Sequence, residues 1–571
     1  MTLKKSTGIV IIGGTACGPK ASARARRCDP RAKITLIEQT EEISTATCGM
    51  PYYISGVISK RATMLQRNSA YFKNVFDIDV LTGTRAMHID RKSHTVELMT
   101  VRDGQSSKIK YDKLVLATGS LPAIPNLPGK DLKGIVTLSR LTDADTIHGL
   151  VTTKGFNNVV VVGAGLIGME MAEAFSTKGL KVTVIEALDR VLPALLDSEI
   201  AFHIEKHLKQ KGVNVVTGQR VTGFEGNNKG WVKAVKTADQ KIEADIVLLA
   251  LGVKPNISIA SEAGITIGQL GGIVVDETMQ TNDPDIYAGG DCVENINLLT
   301  RQPMLAPMGS TANKHGRVIG TNVTGGKETF PGIVGTAIAK VFDYNVGRTG
   351  LTEASAIADG YEVITSLVPG SEHASYYPES RDILVKLIVD KNDDTILGGQ
   401  VVGTGDVAKR VDVLAAALTF GYDVSDLANL DLAYAPPYNS ALDPLHHAAN
   451  VIRNQRSGLA RPLTAAEVKR KLDNSDDFIL LDVRSPEEYK TVRINASQTR
   501  LLPLPELRSR IDELPKDAEI VVYCKTSVRA YQAQRILSGA GYKNVAFLSG
   551  SISAWPYDVS MDWKSPLGRL K

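Results

Sequence analysis

Two cysteines carry most of the chemistry this sequence offers: Cys48, in Ala46-Thr47-Cys48-Gly49-Met50-Pro51, and Cys524, in Cys524-Lys525-Thr526-Ser527-Val528-Arg529. A thiolate, not a thiol, attacks sulfur, and it forms where a helix N-terminus or a cation favours the anion. Pro51 suits the first turn of a helix, so Cys48 is expected beside a helix N-terminus that lowers its pKa. No second cysteine lies nearby; Tyr53 follows instead, and Cys48 must work without an adjacent partner. Cys524 opens a loop that ends on Arg529, after the apolar residues 520–523 and before a helical pattern at 529–540; another helical pattern, 505–514, lies ahead of that apolar run. Backbone N–H groups wrapped round a sulfur, with a helix N-terminus and an arginine, stabilise a thiolate or a persulfide. Electrons and sulfur are therefore expected to enter through different parts of the chain.

The elements that must hold Cys48 begin at the N-terminus. An apolar strand, residues 8–12, opens into Gly13-Gly14-Thr15-Ala16-Cys17-Gly18, then Pro19 and a helix-like stretch at 21–27. A second strand, 34–37, ends in Glu38, about 20 residues beyond Gly18, the distance at which an acid binds ribose hydroxyls. This is a βαβ dinucleotide unit, in which glycines let the backbone approach a pyrophosphate and a helix N-terminus attracts its charge. Its middle glycine is replaced by Thr15. The pattern recurs in full: strand 159–162 leads into Gly163-Ala164-Gly165-Leu166-Ile167-Gly168, and strand 182–185 ends in Glu186. Two nucleotides are expected. Glu186 would bind a free 2′-hydroxyl and repel a 2′-phosphate, which favours NADH, with Arg190 leaving NADPH as the alternative.

Size and composition bound the rest. A chain of 571 residues is too long for one core, and roughly 150 residues per domain predicts about four domains. With 66 basic against 62 acidic residues the net charge is only +4, which gives no global field for nucleic acid or an anionic membrane. Nowhere do about 18 apolar residues run uninterrupted, so no membrane span is expected, and the run at 9–12 reads as a buried strand rather than a signal peptide. Five scattered cysteines fit a reducing cytoplasm and form no CxxC metal pair; no metal is expected. Cys17 and Cys28 are assigned to packing of the first βα unit, with a regulatory thiol at Cys17 as the sharper alternative, and Cys292 to structure.

Further motifs carry a family resemblance. Strands 114–117 and 246–251 close on glycines, the first as Ala117-Thr118-Gly119, and Tyr287-Ala288-Gly289-Gly290-Asp291 follows. Over residues 8 to about 450 the chain closely resembles the two-dinucleotide-fold flavoprotein disulfide reductases, in which such segments flank FAD. The resemblance implies that Thr118, Gly119 and Asp291 bind FAD with Gly13, Gly14, Gly18 and Glu38, while Gly163, Gly165, Gly168 and Glu186 bind NADH. The segment 44–53 resembles the active-site segment of the single-cysteine members: coenzyme A disulfide reductases, NADH-dependent persulfide or polysulfide reductases, NADH oxidases and NADH peroxidases. In these a thiolate packs against the flavin. Residues 524–529, Asp482-Val483-Arg484 and 550–555 resemble a rhodanese domain, with Ser527 standing where its loops often have glycine.

The resemblance predicts an α/β chain of two Rossmann-like nucleotide-binding domains and an α+β dimerisation domain, followed by a small α/β rhodanese domain. The boundaries are 1–154 and 281–330 for the two parts of the FAD domain and 155–280 for the NAD domain. Dimerisation takes 331–453, a linker 454–462, and the rhodanese domain 463–571. Tyr434, in Ala433-Tyr434-Ala435-Pro436-Pro437-Tyr438, matches an interface tyrosine that reaches the partner's cysteine in coenzyme A disulfide reductases, and Tyr376 or Tyr377 would supply a second. A phenol can donate to a departing thiolate. Arg24, Arg26 and Arg27 form either a solvated helix face or a phosphate clamp for coenzyme A, with Arg26 or Arg27 the contact by position. Asn313 and Arg317 lie where the family lines its substrate channel. The expected partners are small persulfides, polysulfides or coenzyme A disulfide, and a second copy of the chain. The expected activity is persulfide or polysulfide reduction that releases sulfide. The rivals are a coenzyme A disulfide reductase with an accessory rhodanese, an NADH oxidase, and a flavin-binding redox sensor or sulfur carrier that does not turn over.

Overall fold

Short runs of β-branched residues, buried on both sides, build the sheets that carry every site in the first half of the chain. The structure, a computed structural model, describes residues 6–561. These divide into two units, residues 6–190 with 208–333, and residues 191–207 with 334–561.

The first unit builds one plan twice. In one sheet the strand order is Ile286–Ala288, Lys113–Leu116, Gly8–Ile12, Lys33–Ile37, Asp79–Leu81, all parallel. In the other it is Asn214–Val216, Lys181–Ile185, Asn158–Val162, Ile246–Leu249, Ile135–Val136, again parallel. Each is accompanied by a three-stranded antiparallel sheet. Helices Cys17–Cys28 and Leu166–Thr177 follow the two glycine loops, and the first packs extensively on helix Gly309–Asn322.

The second unit holds a five-stranded antiparallel sheet, ordered Ala337–Val341, Tyr344–Gly350, Ile396–Gly403, Asp382–Asp390, Val363–Ser371. Helix Pro444–Arg456 packs on its edge strand and runs into the segment expected as linker, where Gln455 donates to the Thr365 carbonyl at 2.9 Å. Beyond it a parallel sheet is ordered Pro462–Leu463, Val545–Leu548, Ile520–Tyr523, Ile479–Asp482, Thr499–Leu501. The helical pattern expected at 505–514 is realised as two 3-10 turns, Leu504–Glu506 and Ile511–Glu513. Prolines 503, 505 and 515 deny the segment amide donors, and Tyr542 Oη shares its one proton between the carbonyls of Ile511 (2.7 Å) and Leu514 (2.8 Å).

Candidate functional site

The glycine loops show what their residue types are for. Gly13 and Gly163 have φ of +115° and +105°, where a Cβ would lie 2.0 Å from the Ala117 carbonyl oxygen and 2.4 Å from that of Ala250. A Cβ on Gly18 or Gly168 would sit 1.9 or 2.0 Å from the carbonyl of Gly13 or Gly163, so glycine there lets each helix close on its own loop. Gly165 differs: nothing lies within 4 Å of its hypothetical Cβ. That open space above a helix N-terminus fits a pyrophosphate, and Thr15, at the corresponding place in the first loop, is exposed. Glu38 accepts from the amides of Gly14 (2.8 Å) and Thr40 (2.9 Å), and Glu186 from those of Ala164 (2.8 Å) and Leu188 (2.9 Å). The matched pattern fixes both acids at the loop mouth, with lone pairs left for ribose hydroxyls. The residues of the two loops fit a dinucleotide each.

Thr118 donates to the Asn256 carbonyl at 2.6 Å, and Gly119 adopts φ +68° in open space. Asp291 accepts from Ser120 Oγ at 3.0 Å, and burial raises its carboxyl. The turn that bears it is pinned by His315, whose Nδ1 accepts from the Gly290 amide at 3.1 Å; burial pushes that imidazole down to about 4. It is therefore neutral, and sequence reading missed it because only the fold brings it to Gly290.

Cys48 is exposed in a single 3-10 turn, Thr47–Gly49, which runs directly into the six-residue helix Met50–Ser55. The expected lowering of its pKa is corrected here. Partial desolvation, then the charges of Glu170 and Asp291, raise the thiol. So short a helix supplies little opposing potential. Glu170 lies on helix Leu166–Thr177, which packs against helix Met50–Ser55, and accepts from Tyr52 Oη at 3.5 Å. Burial pushes its own carboxyl up to about 6. The segment is braced by Arg61, which binds Glu42 and Asp145 together. Of the remaining thiols, Cys17 and Cys292 are buried and Cys28, expected in packing, is exposed at the helix end.

Arg26 is also corrected. Its guanidinium donates to the carbonyls of Phe76 (2.6 Å), Pro30 (2.7 Å) and Asp77 (2.8 Å), which makes it a strut rather than an open phosphate clamp. Arg27 lies over the Phe76 ring at 5.1 Å and is exposed. Arg317 pairs with Glu328 at 2.8 Å, and Asn313 Nδ2 donates to the Gly309 carbonyl at 2.8 Å.

In the second unit Tyr376 and Tyr434 bring their hydroxyls to 3.4 Å while both rings stay exposed. That hydrogen bond raises the Tyr376 phenol. One residue ties their segments: Arg410, wholly buried, donates to the Glu372 carbonyl (2.6 Å), Asn439 (3.1 Å) and Asp443 (3.0 Å). Cys524, 1% exposed, follows strand Ile520–Tyr523, and helix Val528–Gly539 begins four residues on. Arg529 is held by a two-pronged pair to Glu488, both contacts 2.7 Å; Glu488 first, and Cys524 after it, keep the guanidinium charged. Asp482 and Arg484 form a buried pair at 2.6 Å behind the loop.

Parallel nucleotide folds on glycine loops, a lone thiol beside them, and an arginine-closed cysteine loop define a reductase of sulfur compounds by type. The chain belongs to the pyridine nucleotide-disulphide oxidoreductases: residues 7–312 match that family, 336–446 its dimerisation domain and 464–557 the rhodanese-like domain. An NAD(P)H coenzyme A polysulfide/persulfide reductase from Pyrococcus horikoshii is 37% identical over 445 residues, 78% of this chain and 98% of that protein. The solved NAD-dependent persulfide reductase from A. fulgidus is 44% identical, with TM-score 0.92, over 96% of this chain and 100% of that one. The reduced CoADR-RHD of Bacillus anthracis is 34% identical, with TM-score 0.91, over 97% and 98%. Among the described residues no helix is long and apolar enough to cross a membrane.

Proposed function

We propose that this protein is a homodimeric, FAD-dependent NADH:persulfide and polysulfide reductase, with coenzyme A persulfide among its substrates, whose rhodanese domain handles sulfane sulfur. The observation that carries the reading is an exposed Cys48 with no neighbouring cysteine to resolve it, in a chain that also holds a complete arginine-closed sulfur loop at Cys524. A dithiol enzyme would need a partner thiol that this segment lacks. The persulfide-reductase relatives support the choice of substrate.

The Cys48 thiolate attacks the sulfur–sulfur bond of the persulfide. Attack on the outer sulfur leaves a Cys48 persulfide and a free thiolate; attack on the inner one leaves a mixed disulfide and hydrosulfide. Glu38 and Asp291 would hold FAD and Gly165 and Glu186 would hold NADH; when bound, the pair would supply the two electrons that return Cys48 to the thiolate, with hydrosulfide leaving from the persulfide or the thiol from the mixed disulfide. Tyr434, with Tyr376 hydrogen-bonded to it, donates to the departing thiolate at the partner subunit's Cys48. Arg27, Asn313 and Arg317 bind the phosphate-bearing end of coenzyme A. Cys524 accepts sulfane sulfur as its own persulfide and passes it to a mobile thiol carrier. All five cysteines are free, as both steps require, and a reducing cytoplasm suits them.

Cys48→Ser is expected to abolish NADH-driven sulfide release from coenzyme A persulfide, and Cys524→Ser to remove thiol sulfurtransferase activity while sparing reduction of small persulfides. Full reductase turnover in Cys48→Ser would end the proposal. Faster turnover of coenzyme A disulfide than of its persulfide would make the protein a disulfide reductase instead.

A further inference from the structure

Two serines beside Cys524 hold a backbone conformation that favours glycine: Ser527 at φ +77° and Ser551 at φ +50°. A side chain in that region is strained and persists only where its surroundings hold it there. Both hydroxyls converge on the sulfur loop. Ser551, wholly buried, accepts from the Cys524 amide at 3.1 Å. Its oxygen lies 3.8 Å from Cys524 Sγ and 3.3 Å from the Leu548 carbonyl oxygen. Ser527 Oγ donates to that same Leu548 carbonyl at 3.1 Å.

A hydroxyl has one proton to give. With one lone pair taken by the Cys524 amide, Ser551 can aim that proton at Leu548 or at the sulfur. An anionic sulfur is the stronger acceptor, since hydrogen bonds to charged partners are roughly twice as strong as neutral ones. Turning towards it would ordinarily orphan a buried carbonyl, but Leu548 keeps Ser527 as a donor, so the turn leaves no buried group unpaired.

We propose that Ser551 is the positioning residue of the sulfur site: its hydroxyl turns from the Leu548 carbonyl to Cys524 Sγ when the sulfur is a thiolate or persulfide, and Ser527 keeps Leu548 satisfied. The part of this that concerns the persulfide rests on the sulfur-carrying role given to Cys524 above; the thiolate part does not. Strain accepted at both positions is thereby exchanged for a donor that glycine lacks.

The test is alkylation of Cys524 by iodoacetamide in the full chain, followed by peptide mass analysis across pH, in wild type, Ser551→Ala, Ser551→Gly, Ser551→Thr and Ser527→Ala. Both Ser551 variants that lose the hydroxyl are expected to react about ten-fold more slowly at pH 7 and to regain the wild-type rate only at higher pH. Ser551→Thr keeps the hydroxyl and recovers the wild-type profile. Ser527→Ala, which leaves Ser551 pinned to Leu548, slows the reaction by a smaller factor. Ser551→Gly separates donor from strain, because it relieves the backbone while removing the hydroxyl. Profiles of Ser551→Ala and Ser551→Gly that coincide with wild type would overturn the proposal. A wild-type protein that takes up no sulfur on Cys524 from polysulfide would instead remove the sulfur-carrying role, with the alkylation profiles still deciding the hydrogen bond.

Discussion

Glu170 acts on Cys48 through charge. Its carboxyl titrates at about 6 because burial disfavours the anion, and above that pH the charge helps hold the Cys48 thiol up. Glu170→Gln removes the charge and keeps the shape, so Cys48 should be alkylated several-fold faster at pH 7, and the difference should shrink below pH 6, where the wild-type carboxyl is neutral. Equal rates across that range would show that Glu170 does not set the thiol. The same group bears on stability. A carboxyl whose folded pKa lies above its unfolded one of about 4.3 binds more protons when folded. Its contribution is fully present below that unfolded value and lost as pH rises through about 6. Replacing it with glutamine should flatten that fall in urea unfolding followed from pH 4 to 7.

At the scale of elements, the two roles of glycine in the second dinucleotide loop can be separated. Gly165→Ala meets nothing within 4 Å, so its melting temperature should match wild type while the KM for NADH rises by about ten-fold or more. Gly163→Ala puts a methyl against the Ala250 carbonyl at φ +105°, and the melting temperature itself should fall. A Gly165→Ala protein with unchanged KM would mean that the pyrophosphate does not approach there. Arg410 is the corresponding device for the tyrosines. Removing a buried cation from a paired carboxylate costs about 3–5 kcal/mol, so Arg410→Met should lower the unfolding free energy by that amount and loosen the segments bearing Tyr376 and Tyr434.

On the scale of the whole molecule, one buried lysine knits the second unit. Lys386, 1% exposed, meets Asp197 at 2.9 Å together with Glu199 and Glu353. Burial alone would lower its pKa, but the three carboxylates reverse this and hold it raised. Burial also pushes the Asp197 carboxyl up, and Lys386 more than offsets that. Lys386→Met leaves three acids crowded without the cation they share. It should destabilise by about 3–5 kcal/mol at pH 7, with the deficit shrinking as pH falls and the acids take up protons; a pH-independent deficit would point to packing alone. Much of this molecule was legible beforehand. Strands 8–12, 159–162 and 520–523, the two acid-tipped dinucleotide units and the cysteine loop follow from local periodicity, glycine spacing and chain order, which neighbouring residues determine among themselves. The Arg26 strut, the raised Cys48 thiol, and the placing of Glu170, His315, Arg410 and Ser551 were decided by tertiary structure alone. A charge, a carbonyl or a buried hydroxyl acts through distance in space, and these partners lie far apart along the chain or act only once burial has stripped away water. The residue types and their spacing named the two sulfur sites; which groups tune each sulfur was settled only when the fold closed around it.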